Sequence, residues 1–105
     1  MSDDQQRLKA LKKILLDRKA PLAERDDAAI DLGEFDDPEA LETLMEIAVD
    51  PQEDDIILAS CGESIALIWL RTGKFDRNQL KRLVGSARVE AEVLLRNQRP
   101  KWLQE

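Results

Sequence analysis

The groups in this chain with the capacity for chemistry are carboxylates. Twenty-two Asp and Glu residues stand against sixteen Lys and Arg, and there is no His. Without His, the Ser-His-Asp arrangement, imidazole acid–base work and His-ligated metals are all excluded. The densest acidic run, Asp50-Pro51-Gln52-Glu53-Asp54-Asp55, has the ligand type for Ca²⁺ or Mg²⁺, and paired carboxylates are also what glycoside hydrolysis needs. It lacks the central glycine and downstream Glu of an EF-hand loop. A helix start accounts for it more simply, because carboxylates at a helix N-terminus complement the dipole. Asp36 and Asp37 stand in the same relation to an earlier helix. Cys61 is the only cysteine. It has no His to activate it, falls on an apolar stretch and reads as core. No glycine-rich phosphate loop and no Cys/His cluster for zinc is present. The chain is expected to be no enzyme and to need no metal or cofactor.

The carboxylates are unevenly spread. Residues 1–21 hold six basic and three acidic side chains; residues 22–63 hold one basic residue, Arg25, and fifteen acidic ones; residues 64–105 hold nine basic and four acidic ones. The net charges of +3, −14 and +5 return the overall −6. An acidic middle of this density repels nucleic acid and anionic membrane and attracts a cationic protein. Solubility needs net charge but no segregation, so the segregation points to a use. The lone Cys and the polar start Ser2-Asp3-Asp4-Gln5-Gln6-Arg7, with no apolar leader, predict a cytoplasmic protein. The longest apolar stretch, Ile65–Leu70, falls well short of the ~20 residues that span a bilayer.

Helices must position these groups. Apolar residues recur at spacings of three and four, and no segment alternates with period two. One all-α domain over residues 1–105 is expected, with six helices. The first is predicted near Ser2 to Arg18, opened by a Ser2/Gln5 capping box, with Leu8, Leu11, Ile14 and Leu15 inward. The second, near Pro21 to Leu32, sets Leu22, Ala28, Ala29 and Leu32 on one face, with Arg25 beside it and Gly33 as a left-handed stop. The third starts at Asp37-Pro38 and buries Leu41, Leu44, Met45, Ile47 and Ala48. The fourth, near Asp54 to Arg71, is apolar nearly all round and therefore central. Gly62 inside it costs about 1 kcal/mol against Ala and predicts a close helix crossing. The fifth starts at Asp76 with Leu80, Leu83 and Val84 inward, and the sixth runs near Ser86 to Asn97. Trp102 and Leu103 are expected to fold back on the core. Short connections force antiparallel neighbours. Trp69 is expected in the core, and Arg25 in a structural ion pair.

Positions recur between segments. Leu22, Arg25, Ala29 and Leu32 correspond to Leu58, Cys61, Ile65 and Ile68 at a shift of 36, a period of stacked helical hairpins. The stretch with Leu22, Arg25, Ala28, Ala29, Leu32 and Gly33, followed by Asp37, Pro38, Ala40, Leu44, Ala48 and Asp50, resembles a HEAT-like repeat of the short type also found in phycobilisome lyase-related proteins. The second copy lacks the Arg, the Ala-Ala pair and the Asp-Pro. The resemblance implies a short α-solenoid of antiparallel helical hairpins, an N-terminal capping helix and a surface that binds a protein. A HEAT-like DNA glycosylase is a precedent for the fold, but it needs a longer chain and a basic groove.

On the third helix Glu39, Glu42, Glu46 and Asp50 form a polar stripe at spacings of three to four. Like charges so spaced destabilise a helix by roughly 0.2–0.5 kcal/mol per pair, and this helix has no Lys or Arg to neutralise them. With Asp31, Asp54 and Asp55, they form the expected partner-binding set. The expected partner is a cationic protein. A small, acidic chain of this kind resembles the immunity proteins of polymorphic and contact-dependent bacterial toxin systems, some of which are HEAT-like. The target implied is a toxin nuclease, whose basic groove an acidic surface blocks. The alternative is an adaptor or scaffold for basic peptides or an enzyme subunit. A lyase-like role with a linear tetrapyrrole is a third class, disfavoured by the lack of His and of a reactive Cys. The basic ends also complement the acidic middle, so a weak homodimer is a further expectation.

Overall fold

Helix ends are where the local rules act first. In the computed structural model, which describes residues 2–104, Ser2 accepts the Gln5 N–H and opens α1 (Asp3–Leu16). α2 spans Leu22–Leu32 after Pro21. Asp37 accepts the Glu39 N–H and, with Pro38 behind it, opens α3 (Pro38–Ala48). Asp54 does the same for α4 (Asp55–Thr72), which Gly73 ends in the left-handed region at φ 72°. Asp76 caps α5 (Arg77–Arg82), and α6 (Gly85–Gln98) and a 3₁₀ turn (Pro100–Leu103) follow. The domain is all-α, with six α-helices among the described residues, in the predicted order.

Two local expectations fail. Gly33 is not a left-handed stop: its φ is −64°. A Cβ there would lie 2.6 Å from Ser64 Oγ, so the glycine lets α4 approach rather than turning the chain. The fifth helix is only six residues long. Leu83 and Val84 leave it in extended conformation, Leu83 buried and Val84 donating its N–H to the Ala48 carbonyl at 3.0 Å, which fixes the end of α3.

Contacts across helices define the packing. Arg7 meets Asp31 and Leu15 meets Arg25, so α1 and α2 run antiparallel. Asp26 bonds Ser60, the Ala29 carbonyl accepts from Ser64 at 2.7 Å, and the Gly33 carbonyl accepts from Arg71 at 3.0 Å. These offsets of 34, 35 and 38 residues stay nearly constant along the helices, so α2 and α4 run parallel. They bracket the shift of 36 seen in the sequence. Leu58 faces Gly85, and Gly62 faces Ala87, so α4 and α6 are parallel too. α1 packs on α2 and α3 and closes the N-terminal end.

α4 is central, as its composition predicts. Ile57, Cys61, Ile65 and Trp69 are fully buried, together with Leu15, Leu32, Leu44, Ile47 and Leu95 from neighbouring helices. Its closest partner is α6: a Cβ at Gly62 would lie 2.0 Å from the Ala87 carbonyl oxygen, the close crossing that the glycine predicts. Beyond α4, the Phe75 ring meets Trp69 edge-on at 5.1 Å and stacks on Trp102 at 5.3 Å. Arg77 donates to the Trp102 and Gln104 carbonyls, holding the C-terminal segment on the core. The radius of gyration, 13.0 Å, equals the roughly 13 Å of a compact domain of this length.

Candidate functional site

The acidic run before α4 disperses into structural roles. Asp50 accepts the Gln52 N–H at 2.9 Å, and Asp54 accepts the Ile56 N–H at 2.8 Å. Glu53 turns inward. Its carboxylate accepts from Arg25 Nη1 at 2.8 Å and Nη2 at 2.9 Å and also pairs with Arg18. Arg25 in turn donates to the Leu15 carbonyl from Nε and Nη2, at 3.1 and 2.9 Å. The bidentate guanidinium holds the Glu53 carboxyl at about 2, well below the ordinary carboxylate range. The same pairing raises the pKa of Arg25. Both side chains are 5% exposed. Here a buried ion pair ties α1, α2 and the α3–α4 loop together, as expected for Arg25, and Glu53 is its specific partner. Among the described residues no group of three or more His, Cys, Asp or Glu side chains is arranged to hold a metal ion. Burial pushes the Cys61 thiol up to about 12, so its nucleophilic form is suppressed.

Of the seven predicted partner-binding carboxylates, four are engaged within the chain. Asp31, on α2, lies 3.8 Å from Arg7, which also approaches Glu34 at 3.7 Å and sits over the Phe35 ring. Glu39 pairs with Lys12 at 3.1 Å, and Asp50 with Arg18 at 3.1 Å. Asp54 serves as the cap of α4. The expectation that the α3 stripe goes uncompensated is therefore corrected at Glu39 and Asp50. No cation lies on α3 itself, but α1 and the turn after it supply them from outside. The signal was present in the sequence: a +3 segment preceding a −14 segment in so small a domain meets its opposite sign internally.

Glu42, Glu46 and Asp55 remain exposed, and no ion pair engages them among the described residues. Glu42 and Glu46 lie on one edge of an open groove of about 540 Å³ between α3 and α5. Leu41, Met45 and Val49 line its apolar part, and Gln79 and Arg82 stand opposite. The core position expected for Met45 is borne out, while Leu41, expected inward, and Val49, which the patterning gives no role, are only partly buried against the core. Trp69, the core alternative to an interface anchor, is fully buried, and Trp102 is half-buried on Phe75. Among the described residues no helix is long and apolar enough to cross a membrane. Comparison with known proteins adds no relative: no family model, no curated protein and no solved structure matches the chain.

Proposed function

We propose that this protein is a non-catalytic binding module for a cationic protein. Glu42 and Glu46 carry the proposal: two exposed carboxylates with no ion pair among the described residues edge an open groove with an apolar lining. Such a groove offers an anchor site for apolar side chains and a charge for the partner's basic rim. The more specific form is an immunity protein that neutralises a bacterial toxin nuclease in the cytoplasm, as in contact-dependent growth inhibition. Supporting it is the small acidic domain. A HEAT-like stack belongs to the same proposal and is supported by the parallel packing of α2 on α4 at offsets near 36 residues. A second form, an adaptor for basic peptides, is favoured by one observation. Arg7, Lys12 and Arg18 neutralise part of the acidic surface, which weakens long-range steering and suits modest affinity.

Affinity capture from native extract, washed at low and then at high salt, separates the two. One small basic protein retained one-to-one through the high-salt wash supports a dedicated inhibitor, and a nuclease assay on it follows. Many basic proteins that all leave as salt rises support the adaptor and contradict the immunity role. Retention of acidic or neutral proteins alone contradicts both.

A further inference from the structure

The three parallel helices present a surface distinct from the α3 groove. Applying the α2–α4 and α4–α6 offsets to their exposed residues aligns Asp27 of α2, Glu63 of α4 and Glu90 of α6 in one row, at steps of 36 and 27 residues. One helical turn further on, Ile30, Leu67 and Val93 align in a second row, at steps of 37 and 26. Each helix thus contributes one acid followed by one apolar residue. Ile30, Leu67 and Val93 are 49%, 41% and 42% exposed. Asp27 and Glu63 are exposed, Glu90 is half-buried, and none of the three enters an ion pair among the described residues. No Lys or Arg falls in either row or between them along the three helices.

We propose that this face binds a basic amphipathic helix of a partner protein, laid across α2, α4 and α6. An apolar row flanked by an all-acidic row selects a segment with an apolar stripe edged by Lys or Arg. Packed helices lie about 8–10 Å apart, and a helix advances about 10 Å in seven residues. Apolar anchors at every seventh position therefore fall one on each of the three helices. An extended segment fits less well, since it gains most by adding to a sheet edge and there is no strand among the described residues. The surface lies outside the α3 groove, so it stands or falls separately from the function proposed above.

The test uses the intact protein and a synthetic helical peptide of about 18 residues, with Leu at every seventh position flanked by Lys. Its twin has Glu in place of Lys. Binding is followed by amide chemical-shift mapping and titration. The expected result is saturable binding of the Lys peptide alone, with shifts confined to the exposed sides of α2, α4 and α6. Asp27→Lys/Glu63→Lys should weaken it by at least about tenfold and Leu67→Asp by more. Circular dichroism on each variant confirms an unchanged fold, as substitution at exposed positions predicts. Equal binding of the two peptides, an absence of shifts on α2, α4 and α6, or no binding at all overturns the proposal. So does a peptide-free dimer that Leu67→Asp dissociates, which assigns the rows to a second copy of the chain.

Discussion

The two ends of the domain are held by different physics. At the N-terminal end, ion pairs cross between elements: Lys12–Glu39, Arg18–Asp50 and the buried Arg25–Glu53. At the C-terminal end, α4 and α6 meet through Gly62 against the Ala87 backbone, and among the described residues no ion pair joins them. The difference determines which carboxylates remain available outside. Where charge holds the helices, the acids are largely committed to cations of the same chain. Where close packing holds them, Glu63 and the half-buried Glu90 enter no ion pair among the described residues. Net charge along a sequence therefore overstates the charge a partner meets, and only the cross-helix geometry identifies the committed part.

The contrast can be broken from either end. The largest effect is expected at Glu53→Ala, which strands the Arg25 guanidinium in the interior: about 3–5 kcal/mol of stability should be lost, read as a shift in the urea midpoint at constant slope. At the other end, Gly62→Ala drives a methyl into the Ala87 carbonyl. It should destabilise by about 1–3 kcal/mol despite the better helix propensity of Ala, and a gain in stability would show that the crossing is loose.

Acid sharpens the same comparison. The Glu53 carboxyl is depressed to about 2 in the fold, while the unfolded chain takes up its proton near the ordinary value. The stabilisation is complete above about pH 5 and is lost as pH falls toward 2. Roughly 2 kcal/mol should disappear over that window, after allowance for solvent screening. Denaturation midpoints measured from pH 7 to pH 2 should fall in the native protein, and this component of the fall should vanish in Glu53→Gln. The smallest effect belongs to the exposed bridge. Lys12→Met should cost no more than about 1 kcal/mol and less at high salt, while making Glu39 available to a partner.

Element order, the caps at Ser2, Asp37, Asp54 and Asp76, the central position of α4 and the crossing at Gly62 were legible in the sequence. Each follows from a rule that acts over a few residues or from the apolar character of one helix. Less was legible where the cause lies on another helix. Gly33 reads as a helix stop, yet its role is set by Ser64, 31 residues away. The α3 stripe reads as uncompensated, yet cations for Glu39 and Asp50 stand on and just after α1. The groove beside Glu42 and Glu46 is shared between α3 and the six-residue α5, which starts more than 30 residues after Glu46, and no periodicity announces it. The rows from Asp27 to Glu90 and from Ile30 to Val93 become visible only once α2, α4 and α6 are known to run in the same direction.

The most direct test of the account compares native protein with Glu42→Lys/Glu46→Lys as bait in the same native extract, at low salt, with the retained proteins quantified. The native bait should enrich a basic protein that the variant loses while remaining folded. Equal retention by both baits would contradict it and remove the α3 groove from the binding surface.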